Sequence, residues 1–285
     1  MVRKVSKNPA GKADPYQALK DRIKPVHELP LVVSALFYGR SGTGKTTLAA
    51  SFPKPALMLD IREKGTDSVF DVKGLDVLSV NSWQDIEDVY WLLKKNSHYK
   101  TVILDQVSAL QDLCQAEVLS QEDKTQMSQR LYGEVSSRMK TWLLSYRDLI
   151  EEGINVIFLA HDRTFGNDDG DDSDFQIDPA VGPRVMPSVA TVLTGCVKII
   201  ACTFIQEKLG LRDVKTKQRS RTVKYCIRLG AHGVYTTKLR TSKSTPVPPV
   251  VSNPSYEKLV QLMRGGGEME QEENPAVKSR IRRSK

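Results

Sequence analysis

The chain has 285 residues, of which 40% are hydrophobic, and its formal net charge is +8. This length accommodates one large α/β domain or two small ones, and the hydrophobic content supports a sizeable core. The composition excludes a membrane span, because no apolar run approaches the required length. It also argues against a cysteine metal site, because the four cysteines contain no C-x-x-C pair. The basic excess permits contact with a polyanion, although basic residues also cover ordinary solvated surfaces.

The N-terminal residues 1–28 are polar and basic, which predicts a flexible arm with a short helix around Tyr16–Ile23. No apolar stretch follows its basic start, so the arm does not read as a secretory signal. Cysteines without a pairing pattern are typical of reduced thiols. We therefore expect a cytoplasmic protein.

An apolar run at Leu31–Tyr38 predicts a buried strand, and a glycine-rich segment, GRSGTGKT, follows it directly. This segment fits the P-loop pattern G-x-x-x-x-G-K-[ST] at every fixed position. Its glycines allow a tight turn whose backbone N–H groups point at phosphate oxygens, and a helix beginning near Lys45 adds its positive end. The predicted nucleotide-binding residues are Gly39, Arg40, Ser41, Gly42, Thr43, Gly44, Lys45, Thr46 and Thr47.

Two of these residues have distinct chemical roles in the pattern. Lys45 is placed to reach the β- and γ-phosphates, and the Thr46 hydroxyl to bind Mg²⁺. A second ligand for the metal, a carboxylate, is predicted at Asp105, which closes the apolar run Thr101–Asp105. The cofactors expected from these residues are ATP and Mg²⁺.

Further strands alternate with helices along the chain. Strands are predicted at Ala56–Ile61, Asp76–Val80 and Ile154–Ala160, and an amphipathic helix at Leu131–Glu152. Nearly all-apolar strands between helices indicate a mostly parallel sheet with helices on both faces. Because the carboxyl ends of parallel strands share one edge, Glu63, Asp105 and His161 are expected beside the phosphate loop.

The C-terminal part of the chain is less regular. Residues 162–187 are predicted to form a long loop with six aspartates between Asp168 and Asp178. A strand is expected at Val197–Ile205, and a C-terminal β-hairpin is predicted from residues 223–229 and 234–239. A final helix is predicted at Ser255–Met263, and the charged residues 264–285 have the composition of a disordered tail.

The pattern as a whole resembles the small RecA-like ATPases of bacteriophages, which anneal single-stranded DNA and are distant relatives of RecA and the Rad-type recombinases. The resemblance rests on Gly39–Asp60, the E-x-G-T turn at Glu63–Thr66, Thr101–Leu110, Asn155–His161 and the late K-x-R at Lys238–Arg240. It implies a RecA-like ATPase domain over residues 29–263, in the host-cell cytoplasm if a phage encodes the protein.

The resemblance also implies roles for individual residues. Glu63 takes the position that polarises the attacking water, and His161 the position that senses the γ-phosphate. Lys238 and Arg240 match a basic pair that reaches the ATP site of a neighbouring subunit. An extra residue between Asp60 and Glu63 leaves Asp60 and Arg62 as alternatives for the Glu63 role.

DNA contacts are implied at two regions, Gln121–Arg130 and Asp162–Pro187. The aspartates of the second region match a phosphate backbone poorly, so the basic stretch Lys208–Lys224 and the basic tail are alternatives. Expected partners are single-stranded DNA, further copies of the chain in a head-to-tail ring or filament, and a single-strand-binding protein.

The sequence therefore predicts a DNA-dependent ATPase that promotes annealing or strand pairing in phage-type recombination. Three alternatives stay open at this point. One is a ring helicase or helicase-loader ATPase of related fold. Another is a nucleotide-gated interaction module of the replication machinery. A third, a small-molecule kinase, lacks an evident Arg-rich lid.

Overall fold

The computed structural model describes residues 16–25, 28–165, 180–212, 219–241 and 246–266. The aspartate-rich residues 168–178 and most of the predicted tail lie outside these ranges. The chain divides into two compact units, residues 1–31 and residues 32–285. In the described part of the first unit, a short helix, α1, spans Gln17–Lys20.

The other helices and strands of the described residues lie in the second unit. The helices are α2 (Lys45–Ala49), α3 (Trp83–Asn96), α4 (Val107–Gln121), α5 (Gln129–Asp148), α6 (Pro187–Cys196) and α7 (Tyr256–Met263). The strands are β1 (Ser34–Tyr38), β2 (Ala56–Ile61), β3 (Leu75–Val80), β4 (Thr101–Asp105), β5 (Asn155–Ala160), β6 (Asp162–Phe165), β7 (Ala180–Pro183), β8 (Ile199–Arg212), β9 (Arg219–Arg228), β10 (Lys238–Leu239) and β11 (Val250–Ser252). Short 3₁₀ turns lie at Thr66–Val69 and Leu149–Glu152.

Within the described residues, nine strands form one sheet in the order β11-β9-β8-β1-β5-β4-β2-β3, with β10 also paired to β8. The six strands from β3 to β8 in this order run parallel, and β9 and β10 are antiparallel to β8. The predicted α/β fold with a large, mostly parallel sheet flanked by helices is confirmed.

Alternation along β1 shows why its residues are nearly all apolar. Leu36 and Tyr38 belong to the buried cluster shared with α3, α4 and α5. On the opposite face, the ring of Phe37 lies 6.0 Å from that of Phe52, which follows α2. A strand that is covered on both faces has no position for a solvated side chain.

The C-terminal helix α7 packs behind the phosphate loop. The backbone N–H of Tyr256 donates to Ser51 Oγ at 2.9 Å, and the Tyr256 ring lies 4.9 Å from that of Phe52. Ser255 caps α7, and Leu259 is fully buried. Helix α7 therefore covers the apolar side of the segment that carries the phosphate loop.

Helix ends agree closely with the local signals in the sequence. Ser82 and Asp85, three residues apart in the sequence, form a capping box at the start of α3. The predicted helix over Leu131–Glu152 is found as α5 and a 3₁₀ turn, ended by Gly153 in the left-handed conformation.

Two predictions for the C-terminal half are wrong. The hairpin expected from residues 223–229 and 234–239 does not form. Instead β9 pairs with β8, beginning with Arg228 opposite Cys202. Strand β10 also pairs with β8, at Ile199 and Ile200. The strand expected to end at Ile205 continues to Arg212. Both errors arise because pairing between segments distant in sequence outweighs the local turn signal at Gly230–Gly233.

The prediction of a long loop over residues 162–187 is also wrong for the described part of this range. Strands β6 and β7 pair antiparallel, with Asp162 opposite Pro183, and α6 begins at Pro187. The aspartate-rich centre of this region lies outside the described residues. A two-stranded ribbon therefore begins one residue after His161.

Candidate nucleotide site

The phosphate loop joins the end of β1 to the start of α2. Gly39 has a φ of +153°, and a Cβ at this position would lie 2.4 Å from Thr203 Oγ1 and 2.5 Å from the Thr203 carbonyl oxygen. Gly44, with a φ of +84°, directly precedes Lys45. Only glycine fits this close approach of loop and β8, so the loop conformation depends on the P-loop glycines.

We predict that Gly39→Ala lowers the free energy of unfolding by about 3 kcal/mol, because a backbone atom of Thr203 must move. Gly133→Ala is the matched control. Gly133 lies exposed within α5, and a Cβ there would meet nothing within 4 Å. The alanine should therefore raise the free energy of unfolding by about 1 kcal/mol. Urea unfolding of both variants measures the difference. Equal effects would contradict the proposed clash.

The Lys45 side chain is buried against its own loop. Its Nζ donates to the carbonyl oxygens of Gly39 and Arg40, both at 2.8 Å. Burial lowers the pKa of Lys45, and the nearby carboxylates Asp105, Asp162 and Glu63 oppose that effect. A bound triphosphate would supply the concentrated negative charge that favours the ammonium form.

Thr46 and Asp105 meet at the mouth of the loop. The Thr46 hydroxyl donates to Asp105 Oδ2 at 2.9 Å. Burial raises the pKa of Asp105 to about 6, against the lowering effect of the Thr46 hydrogen bond. A hydroxyl and a carboxylate are the hard oxygen ligands that Mg²⁺ prefers. Among the described residues no group of three or more His, Cys, Asp and Glu side chains could hold a metal, so the other ligands would come from nucleotide phosphates and water.

The raised pKa of Asp105 makes the apoprotein less stable at neutral pH. A carboxyl whose folded pKa lies above its unfolded value contributes stability below the unfolded pKa and loses it as pH rises through about 6. We predict that Asp105→Asn stabilises the metal-free, nucleotide-free protein by about 2 kcal/mol at pH 7.5, and by about half as much at pH 5. Thermal unfolding at the two pH values tests this. A gain of equal size at both would show that ionisation of Asp105 is not the cause.

The turn after β2 places Glu63 in the cavity. The buried carboxylate of Asp60 accepts hydrogen bonds from the backbone N–H groups of Glu63 (3.1 Å) and Lys64 (3.0 Å). Arg62 and Lys64 both take positive φ, which turns the chain sharply at this point. Asp60 is therefore occupied in shaping the turn, and Glu63 lines the cavity whereas Arg62 does not.

His161 and Gln106 lie side by side at the ends of β5 and β4. Their Nε2 atoms are 2.6 Å apart, and His161 Nε2 lies 3.6 Å from Glu63 Oε1. Gln106 is 2% exposed, and its Oε1 has no hydrogen-bond partner among the described residues. Gln106 is not among the residues predicted from the sequence, although its position directly after Asp105 at a strand end was a usable signal.

One cavity of about 700 Å³ is lined by Lys45, Thr46, Glu63, Asp105, Gln106 and His161. The structure brings Glu63, Asp105 and His161 together with Lys45, as the parallel topology predicted. On the other side of the phosphate loop the cavity is lined by Thr203, Tyr225, Asn253 and Pro254. No motif marks these four residues, because they approach the loop only through the pairing of β8, β9 and β11.

The structure places Lys238 and Arg240 away from this cavity. Lys238 Nζ donates to the carbonyl oxygens of Thr194 and Gly195, the latter at 3.2 Å. The Arg240 N–H donates to the Lys198 carbonyl oxygen at 3.2 Å. Strand β8 is paired with β1 in parallel, so Lys198 lies near the amino end of β1, opposite the phosphate loop.

The first predicted DNA-contact region forms a short connection between α4 and α5. There Glu122 forms ion pairs with both Arg130 and Lys124. The second region contains the β6–β7 ribbon. Neither region's described residues belong to the cavity lining.

A comparison with protein families finds a match over residues 32–241 to a family model described as an AAA domain. No curated protein matches the chain. Among the described residues no helix combines the length and apolar character needed to cross a membrane.

Proposed function

Because this chain belongs to the AAA domain family of P-loop NTPases, we propose that it binds ATP with Mg²⁺ and hydrolyses it. The observation that carries the proposal is the meeting of Lys45, Thr46 and Asp105 at one edge of the sheet. A buried ammonium beside a hydroxyl–carboxylate pair fits a metal-bound triphosphate in both charge and ligand type.

The residues of the cavity divide the chemistry of hydrolysis between them. Mg²⁺, when bound, would neutralise charge on the β- and γ-phosphates. Thr46 and Asp105 would hold the metal, and Lys45 would stabilise the charge that develops as the γ-phosphoryl group leaves. Much of the catalysis would come from positioning and electrostatics.

We assign the activation of the attacking water to Glu63. Gln106 lies nearer to Asp105 in sequence, but its neutral amide cannot accept a proton. The Glu63 side chain is 36% exposed and lies beside His161, so water can reach its carboxylate. We assign the sensing of the γ-phosphate to His161, which lies between Glu63 and Gln106.

We further propose that ATP turnover is coupled to single-stranded DNA, and that the protein promotes annealing or strand pairing in phage-type recombination, alongside a single-strand-binding protein. Two features support the coupling. The β6–β7 ribbon starts directly after His161, so a shift of this residue reaches the ribbon through one peptide unit. Strands β8 and β9 carry more basic than acidic residues, although Arg221 is paired with Glu207. This excess of positive charge favours contact with a phosphate backbone.

We also propose a head-to-tail assembly in which Arg240 acts on the ATP of a neighbouring subunit, aided by Lys238. Such an assembly joins two different surfaces of the protomer. Arg240 is exposed and lies at the end of the sheet away from its own phosphate loop. That location is compatible with a role across the interface.

A mixing experiment tests the shared site. We predict that Arg240→Ala and Lys45→Ala are each inactive, and that an equal mixture recovers about a quarter of the wild-type ATPase rate, because one interface in four unites both intact groups. Mixing Lys45→Ala with Asp105→Asn is the control. These lesions affect the same side of the interface, so that mixture should stay inactive. If neither mixture recovers ATPase activity, the proposed role of Arg240 is contradicted.

The coupling to DNA is tested by the ATPase rate with and without single-stranded oligonucleotide. We expect stimulation by single-stranded DNA, and annealing of complementary strands that requires ATP. Directional unwinding would favour the helicase alternative instead. A slow rate that DNA leaves unchanged would favour the nucleotide-gated interaction module and contradict the proposed DNA dependence.

A further inference from the structure

The cavity has two chemically different ends on either side of the phosphate loop. Glu63, Asp105 and His161 stand at one end, with the groups suited to metal and γ-phosphate. The other end is formed by Tyr225, with Asn253 and Pro254. A nucleotide whose γ-phosphate faces the carboxylates must direct its nucleoside toward this second end.

Tyr225 stands directly against the phosphate loop. Its Cδ1 atom lies 3.1 Å from the position that a Cβ on Gly44 would occupy. The side chain is nevertheless 46% exposed, so part of this large aromatic surface is open to solvent beside the cavity. An exposed aromatic face next to a phosphate-binding loop is a suitable platform for a planar base.

The backbone holds this second end of the cavity in place. The N–H of Asn253 donates to the Tyr225 carbonyl oxygen at 2.7 Å, and Asn253 takes a left-handed φ of +46°. Strand β11 pairs with β9 up to Ser252 opposite Cys226. This pairing brings the Asn253–Pro254 turn beside Tyr225 although the two are distant in sequence.

Resting on the proposed function, we infer that the Tyr225 ring stacks on the nucleobase, with the Asn253–Pro254 turn forming the adjoining wall. Every nucleobase offers a π-face, so stacking adds affinity for nucleoside triphosphates as a class. Tyr225 would thus separate a nucleotide from an inorganic polyphosphate, which the phosphate loop alone does not distinguish.

The test compares Mg²⁺-ATP with Mg²⁺-tripolyphosphate in calorimetric titrations of the full-length protein. Tyr225→Ala should weaken ATP binding about tenfold, as expected for the loss of one base–aromatic stack, and leave tripolyphosphate binding unchanged. Tyr225→Phe should bind ATP like the wild type. Tyr225→Leu keeps an apolar side chain beside Gly44, but its ATP binding should be as weak as that of the alanine variant. Tyr132→Ala, at an exposed tyrosine on α5, is the matched control and should bind both ligands normally.

Three outcomes would overturn the inference. If Tyr225→Ala weakens the binding of ATP and of tripolyphosphate equally, the ring supports the phosphate loop and does not contact the base. If ATP binding is unchanged in Tyr225→Ala, or if Tyr225→Leu binds like the wild type, no aromatic stack is involved. A wild-type protein that binds neither ligand would refute the nucleotide site itself, and that result is distinct from the other outcomes.

Discussion

Replacement of Lys45 by alanine is expected to lower the ATPase rate by about a hundredfold, because the charge that develops on the transferred phosphoryl group loses its nearest cation. The lysine is buried, and its Nζ already donates to two loop carbonyl oxygens at 2.8 Å, so the loop itself holds this ammonium group at the site. Phosphate release at saturating Mg²⁺-ATP, in wild type and variant, measures the effect.

Lys94→Ala is the appropriate control for this experiment. Lys94 forms a surface ion pair with Glu152 at 2.6 Å, and such pairs contribute little to stability. The control should hydrolyse ATP at the wild-type rate. Normal hydrolysis by Lys45→Ala would show that the nucleotide is cleaved somewhere other than at the phosphate loop.

Glu63→Gln is the second substitution with a large expected effect. The amide keeps the size of the side chain but cannot take a proton from water, so hydrolysis should fall about a hundredfold or more. ATP affinity should be nearly unchanged, since Glu63 stands at the γ-phosphate end of the cavity and is not part of the phosphate loop. Single-turnover hydrolysis and equilibrium binding of ATP, measured side by side, separate the two effects.

Glu151→Gln serves as the matched control, because Glu151 lies exposed in the 3₁₀ turn after α5. If the Glu63→Gln protein hydrolyses ATP at the normal rate, another group must act as the general base. Asp60 is the least suitable replacement, because its carboxylate already accepts two backbone hydrogen bonds at the turn.

The features that could be predicted from the sequence depend on local patterns. The P-loop spacing located Gly39–Thr46, and the capping box at Ser82 marked the start of α3. The parallel arrangement of β2, β4 and β5 followed from their all-apolar strands. It correctly brought Glu63, Asp105 and His161 to one edge, because parallel strands must end on the same side.

The rest of the site depends on contacts that no local pattern encodes. Tyr225 and Asn253 reach the cavity only because β9 and β11 extend the sheet beyond β8. The β8–β9 pairing was missed since the turn-forming residues near Gly230 gave a stronger local signal than the true connection. Gln106 was overlooked because an amide directly after a strand-ending aspartate has no recognised motif.

The position of α7 has a consequence for how the protein is made. Its Tyr256 and the buried Leu259 complete the packing behind the phosphate loop, more than 200 residues after the loop itself. Ribosomes synthesise a chain from its N-terminus, so the loop leaves the exit tunnel long before its covering helix exists. We therefore expect nascent chains to acquire ATP binding only after α7 has left the exit tunnel, and to expose the apolar side of the loop segment until then.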